Sequence, residues 1–414
     1  MNFPVDDLRA EFPALARAGG FLFFDNAAGA QIPASVLSAV TDHLVSRNVQ
    51  RGGPYGQSQE VDAMIARTRE AVAAFVNARS PGEIAFGLNA TSFIRSISLA
   101  VGQTLAARPE IVVSDLDHEA NIATWIALER FGARIVWWKM RDDLQLHVED
   151  LEPLVTKRTR LVACTMASNA TGTIVDAAGA ARRAHAAGAE IFLDAVHYAP
   201  HGSIDVQALD CDYLVCSGYK VFAPHMGFAW CRREAINRLP TFREDFIPDV
   251  TPDKLEAGTY AYENIAGMDA AIAYLESLAG DGARPPDAEA PRAGTLRRAM
   301  STIAEYERGL SRKLLDEIQS IRGVTVHGVA ARDRLHDRVP TLCFSVARHD
   351  ASSVADRLAE RDIGLRSGHM YAPRLMARLG LGAQGAVRAS LVHYNTAAEI
   401  ERFAAALREI AAGP

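Results

Sequence analysis

An aspartate and a lysine close two successive apolar runs in the segment IFLDAVHYAPHGSIDVQALDCDYLVCSGYKVFAPHMGFAW. Asp194 ends the first run and Lys220 follows the second, 26 residues later, a spacing that fits one strand, a crossover and a second strand. A carboxylate at the mouth of a strand can keep a pyridine nitrogen protonated, which makes the ring an electron sink for a substrate carbanion. A lysine in such a place can form a Schiff base with a cofactor aldehyde and then move protons. Taken singly, Asp194 reads as a turn cap and Lys220 as a solvated loop residue. The setting SGYKVFAPHMG argues otherwise, because it offers no polar face, and Gly218 and Gly227 leave room for a ligand. The pair predicts pyridoxal 5'-phosphate (PLP) chemistry on the amino group of a small amino acid.

Such a cofactor also needs a phosphate site, which backbone N–H groups opening a helix provide. The run EIAFGLNATSFIRSISLAV supplies a strand, a loop containing Ala90 and Thr91, and an amphipathic helix; Ser217 and Tyr219, flanking Lys220, add hydroxyl groups. His118, between a strand and a helix in DLDHEANIATW, is placed to lie flat over a ring, and Asn169 in SNATGT to reach a phenolic oxygen. Arg388 in AVRASLVHYN suits bidentate pairing with a substrate carboxylate. Each has a plainer alternative: an N-cap, a surface histidine, an Asx turn and a strand arginine.

These residues require elements that bring distant segments together. Short β-branched runs (EIVVSD, ARIVWWKM, RTRLVACTM, AEIFLDAV) alternate with Ala/Leu/Arg-rich amphipathic stretches, which predicts an α/β unit with a mainly parallel, buried sheet and functional loops at its strand carboxyl ends. The expected organisation is an N-terminal arm or helix over residues 1–15, a large cofactor-binding domain over 16–270, and a smaller C-terminal α+β domain over 271–414. Residues 280–294, GDGARPPDAEAPRAG, read as an exposed, mobile loop. A hydrophobic fraction of 49% in 414 residues is ample for such cores. The net charge of −6 and the lack of a dense Lys/Arg run argue against nucleic acid or an anionic membrane as partner. No run reaches the roughly 20 apolar residues of a membrane span, and the N-terminus shows no signal or transit pattern, so the expected location is cytoplasmic. The five cysteines lack paired spacing and read as reduced core thiols, and no metal site is expected.

The motifs FFDNAAGA, NVQRGGPY, NATS, DHEANIATW, SNATGTIVD, LDAVHYAPHGSIDVQALDCDYLVCSGYK, LEAGT, LRSGHMYAPRLM and VRASLVHYN occur in one order over nearly the whole chain. In this the sequence resembles the class V aminotransferases, and within them the cysteine desulfurase and selenocysteine lyase group. The resemblance implies a PLP-dependent transferase fold of type I and a homodimer with active sites at the subunit interface. It assigns Lys220 to the Schiff base, Asp194 to the pyridine nitrogen and His118 to stacking on the ring. It places Asn169 and His197 at the substrate side and phenolic oxygen, and Ala90, Thr91, Ser217 and Tyr219 at the phosphate, with Thr259 reaching the phosphate of the neighbouring subunit. Arg388 corresponds to the carboxylate-binding arginine, and Asn26, Ala28 and Arg366 fall on the substrate side.

Three departures from the family matter. Glutamine is usual where this chain has His197 and histidine where it has Tyr219; both replacements can still hydrogen-bond. In the loop LRSGHMYAPRLM, Tyr371 stands where desulfurases carry their nucleophilic cysteine, and a phenol cannot take up sulfur as a thiolate does. LEAGTYAYENIAG is also longer than usual and is expected to bring Tyr260 and Tyr262 near the site. The resulting reading is an enzyme that forms an external aldimine with an amino acid and acts as a β-eliminating (C–S) lyase or an aminotransferase, with Tyr371 an acid for a leaving group; racemase chemistry would need a second base. The alternatives are a desulfurase using a cysteine outside the loop and a catalytically silent PLP-binding protein.

Overall fold

The β-branched runs become strands in the computed structural model of the protein, which describes residues 3–279 and 292–413. In chain order the strands are β1 (Leu22–Phe23), β2 (Ile84–Gly87), β3 (Glu110–Ser114), β4 (Arg134–Trp138), β5 (Thr159–Thr165), β6 (Glu190–Asp194), β7 (Tyr213–Ser217), β8 (Gly227–Cys231), β9 (Val324–His327), β10 (Thr341–Val346), β11 (Ile363–Gly364), β12 (Arg366–Gly368) and β13 (Ala386–Ser390). Seven of them form one sheet in the order β2-β8-β7-β6-β5-β3-β4. β3 to β7 run parallel to one another, whereas β8 lies antiparallel between β7 and β2. This is the α/β, PLP-transferase type I architecture that the sequence predicts.

Successive residues along these strands enter opposite cores. Ile111, Val113, Leu161, Ala163, Phe192 and Val215 pack on one face, while Val112, Val162, Cys164, Ile191, Leu193 and Cys216 pack on the other. A sheet buried on both faces needs continuous apolar strands, which accounts for the lack of polar alternation in LVACT and IFLD. The connecting helices start at side-chain caps: Asp176 caps Ala177–Ala186, and Asn89 with Ser92 forms a capping box on Ala90–Gly102.

β9, β10, β12 and β13 make a second, antiparallel sheet in the order β12-β13-β10-β9. Its core holds Leu342, Phe344, Val387, Phe403 and Leu407. The 28-residue helix Arg292–Gln319 joins the two cores, with Leu296, Met300 and Ile303 in the first and Leu310, Leu314 and Ile318 in the second. At 1.5 Å per residue it is about 42 Å long. Of the loop expected over 280–294, residues 280–291 lie outside the described residues, and the last three are already helical. The strand expected over RASLVHY stops at Ser390, after which Asn395 N–H turns back to Val392 O. β1, which precedes the large sheet in sequence, pairs parallel with β11, and its Leu22 and the following Phe24 enter the second core. Among the described residues no helix is long and apolar enough to cross a membrane.

The helix Ala90–Gly102 reaches its position because β8 begins with glycine. A Cβ built on Gly227 would lie 2.6 Å from both Cα and C of Asn89, so only a residue without a side chain lets the helix N-terminus close on the sheet. Gly227→Ala is expected to destabilise the protein by about 1–3 kcal/mol through overpacking. Thermal unfolding would register this as a lowered Tm, and an unchanged Tm would show that Asn89 gives way freely.

Candidate functional site

The carboxyl ends of the parallel strands meet at one edge of the large sheet, and the residues just beyond them line one cleft, the usual place for a ligand in an α/β sheet. β3 leads to His118, β5 to Asn169, β6 ends in Asp194 and leads to His197, and β7 ends in Ser217 and leads to Tyr219 and Lys220. Ala90 and Thr91, at the N-terminus of the helix after β2, complete the wall. The structure thus gathers nine of the residues singled out in the sequence into one cleft. Ala90 N–H donates to Ser217 Oγ at 3.0 Å, which ties the helix start to the end of β7.

Lys220 is only 7% exposed. Burial, reinforced by the charge of Arg388 and opposed by Asp194, lowers its ammonium from 10.5 to about 8. Burial raises the Asp194 carboxyl, against the Val196 N–H it accepts at 2.9 Å and the charge of Lys220. His118 is lowered to about 4, first by burial and then by Lys220 and Arg388. Its Nδ1 accepts the Ala120 N–H at 3.0 Å, so the neutral ring carries its proton on Nε2.

The donor set suits a phosphorylated pyridine: a buried carboxylate for a ring N–H, a helix N-terminus with a hydroxyl for phosphate, and a buried amine of lowered basicity. Two further polar atoms of cleft-lining residues, Asn169 Oδ1 and His197 Nδ1, are buried and, among the described residues, have no hydrogen-bond partner. Such atoms are unfavourable unless a bound group pairs with them.

Arg388 is buried on β13 and stands in register opposite Arg366 on β12. Two like charges facing each other across strands destabilise a sheet, and Asp25 offsets this by pairing with both, at 3.0 Å to Arg388 Nη2 and 2.8 Å to Arg366 Nη2. Arg388 Nη1 also donates to Asn169 O at 2.8 Å, which links the arginine to the cleft wall. The loop over residues 365–376 is held against the same wall: Asn169 Nδ2 donates to Met370 O at 2.6 Å, and Glu119 N–H to Tyr371 O at 2.8 Å. Met370 and Tyr371 both adopt positive φ, 46° and 57°, a conformation that costs about 1–3 kcal/mol for a non-glycine residue and gathers at functional sites. Tyr371 remains 58% exposed, its ring 5.7 Å from that of His118.

Other expected residues sit elsewhere. Asn26 commits its side chain to Ser390 O at 2.7 Å, to Asn395 and to the Tyr394 hydroxyl, while Ala28 N–H closes a turn onto Asp25 O. Thr259 is exposed, with Oγ1 3.5 Å from Gln50 Oε1. Tyr260 and Tyr262 meet edge to face at 5.3 Å, and Tyr260 donates to Glu256 at 3.1 Å; neither lines the cleft of its own chain.

Sequence reasoning passed over Asp25 and Asp117. Asp25 follows the apolar run FLFF, but its partners lie more than 340 residues away. Asp117 accepts from Ser114 Oγ and, at 2.7 Å, from Asn121 Nδ2, while Asn121 accepts from Trp125 Nε1 at 2.9 Å. The spacing Ser114, Asp117, Asn121, Trp125 was the available signal. Burial, with the Asp194 charge adding, lifts the Asp117 carboxyl to about 7.

The sequence matches the family described as Aminotransferase class-V over residues 22–284 and 296–403. It is 34% identical over 420 residues to an aminotransferase-like protein of Gibberella zeae and 33% identical over 429 residues to a cysteine desulfurase of Enterobacter sp. (strain 638), each alignment covering 99% of both chains. Among solved structures, the apo cysteine desulfurase of Thermococcus onnurineus NA1 superposes with a TM-score of 0.88 at 25% identity, over 100% of this chain and 99% of that one. A cysteine desulfurase of Escherichia coli gives 0.83 at 27% identity, over 99% and 98%.

The balance of charges around Lys220 is open to measurement. In the unloaded protein, labelling of Lys220 by an aldehyde probe, read by mass spectrometry, should have a pH midpoint of about 8. Removing the neighbouring negative charge by Asp194→Asn should lower that midpoint, and removing the positive one by Arg388→Gln should raise it. A wild-type midpoint at the ordinary lysine value of about 10.4 would remove this account of the cleft.

Proposed function

Because the chain belongs to the class-V aminotransferase family, we propose that it holds PLP on Lys220 and acts at the α-carbon of a small amino acid, as a β-eliminating lyase or an aminotransferase. The observation that carries this reading is the buried Lys220 amine, lowered to about 8 in the same cleft as Asp194 and His118. When bound, PLP supplies an electron-withdrawing ring. Asp194 would hold the ring nitrogen, His118 would pack against the ring, and Ala90, Thr91, Ser217 and Tyr219 would hold the phosphate at a helix N-terminus. Asn169 and His197 would serve the phenolic oxygen and the substrate side. Arg388, oriented by Asp25 and accompanied by Arg366, takes the substrate carboxylate; Asn26 and Ala28 frame the turn that carries Asp25. Lys220, its basicity lowered by burial, would move the proton at the α-carbon.

The loop over residues 365–376 contains no cysteine, and Tyr371 occupies its exposed tip. All five cysteines are buried. Burial pushes the Cys343 thiol to about 12 and those of Cys164, Cys211, Cys216 and Cys231 well above the usual thiol value. A persulfide-forming nucleophile must be an accessible thiolate, so these properties speak against desulfuration of cysteine by that route. Retention of Lys220, Asp194 and Arg388 together speaks against a catalytically silent protein.

The chain is proposed to work as a homodimer. Leu99, Phe131 and Phe242 are exposed around one depression that Leu255, Glu256 and Ala257 also line, and the chain passes from there to Thr259. An apolar face of this kind suits a second copy, which would bring Thr259 to the neighbouring phosphate. Sedimentation should give a dimer for the wild type and a monomer for Phe242→Asp; a monomeric wild type rejects the assignment.

Reconstitution with PLP should produce the visible absorbance band of the lysine-bound cofactor, absent in Lys220→Ala; persistence of the band in that variant would overturn the Lys220 assignment. Incubating the loaded enzyme with a panel of amino acids then separates the chemistries. Pyruvate with ammonia marks elimination, and a keto acid with the aminated cofactor marks transamination. Alanine with a persulfide on any cysteine would establish desulfuration instead.

A further inference from the structure

His197 lines the cleft, is only 3% exposed, and uses its two ring nitrogens differently. Nε2 lies 3.0 Å from Oγ1 of Thr341, a fully buried residue at the start of β10 in the second sheet. Nδ1 is buried and, among the described residues, has no hydrogen-bond partner. The Thr341 backbone is already engaged, its carbonyl by Arg338 and its N–H by Val339 O at 2.7 Å. Among the described residues the Thr341 hydroxyl has no partner besides His197.

Counting protons selects the tautomer. If Nε2 carried the ring proton and donated to Oγ1, the hydroxyl proton of Thr341 and the lone pair of Nδ1 would both be left buried and unpaired. If Thr341 donates to Nε2, the ring proton sits on Nδ1 and a single unpaired donor remains. Buried unpaired polar groups are unfavourable, so the arrangement with fewer prevails. The doubly protonated ring is disfavoured by burial and by the groups around it: the His201 ring at 5.5 Å, Lys220 and Arg388, with Asp194 the negative group of the cleft wall.

We propose that Thr341 is a positioning residue whose hydroxyl fixes His197 as an Nδ1–H donor to an oxyanion on the group bound in the cleft. The proposal rests on the PLP reading above, in which that oxyanion is the phenolic oxygen of the ring. A donor there stabilises the negative oxygen and weakens its hold on a neighbouring proton. The glutamine usual in the family donates through its amide unaided. A histidine needs a second residue to decide which nitrogen carries the proton, and Thr341 reaches across from the other sheet to do so.

Two measurements test this. In unloaded protein carrying nitrogen-15 histidine, NMR should find His197 protonated on Nδ1 and bare on Nε2; a protonated Nε2 overturns the proposal whether or not the protein takes up PLP. In PLP-loaded protein, Thr341→Val should raise the pH midpoint of the visible band by about one unit, and Thr341→Ser should restore it. In a His197→Gln background, Thr341→Val should leave the midpoint unmoved. An unmoved midpoint in Thr341→Val alone, or an equal shift in the glutamine background, overturns the proposal. A protein that takes up no PLP would refute the function proposed above, and the NMR result would then decide the tautomer by itself.

Discussion

A cation is hard to keep in a dry cleft when a second cation stands close by, and the site is organised around that difficulty. Lys220 and Arg388 are both buried, burial and the charge of Arg388 lower the affinity of Lys220 for its proton, and burial does the same to Arg388. Two carboxylates make the arrangement tolerable. Asp25 ties Arg388 to Arg366, and Asp194 supports Lys220 without pairing so tightly that the amine loses its reactivity. The amine is thereby left poised between charged and neutral near physiological pH, the condition for nucleophilic and proton-transfer chemistry.

The fold meets this requirement by position. Parallel strands direct their carboxyl ends to one edge, so Asp194 and Lys220 share a cleft although a crossover separates them in sequence. β8 runs against its neighbours and begins at Gly227, where the absence of a side chain lets the helix capped by Asn89 approach. The second sheet contributes the groups that face the opposite side: Arg388 and Arg366 from adjacent strands, and Thr341 behind His197. The long helix Arg292–Gln319, seated in both cores, fixes the distance between the two sets.

What could be read from the sequence follows from this geometry. Asp194, Ser217 and Lys220 were legible because strand-end positions are marked by local pattern, as was the helix start at Ala90. The alternation of strands and helices gave the large sheet for the same reason. Asp25 and Thr341 were not legible, since what gives them meaning is a partner 363 and 144 residues away, respectively. Asn26 looked suited to a substrate, but its amide is consumed by Ser390 and Asn395, which no local spacing reveals. Tyr260 and Tyr262 find Arg51 and Gln50 as partners, 209 and 212 residues away, contacts that no local pattern shows. Asp117 lies between these cases, its helical-type spacing with Asn121 and Trp125 being visible and its burial not.

The pairing of β1 with β11 has a consequence for how the molecule is made. Leu22 and Phe23 are synthesised more than 300 residues before the residues they pair with, Ile363 and Gly364. At ribosomal rates of about 5–20 residues per second, the first strand waits on the order of tens of seconds for a partner. Asp25 lies two residues beyond that strand, and its arginines, Arg366 and Arg388, arrive after β11. The large sheet can therefore form around Asp194 and Lys220 while the nascent chain is growing, but the electrostatic balance of the cleft must wait for Arg366 and Arg388.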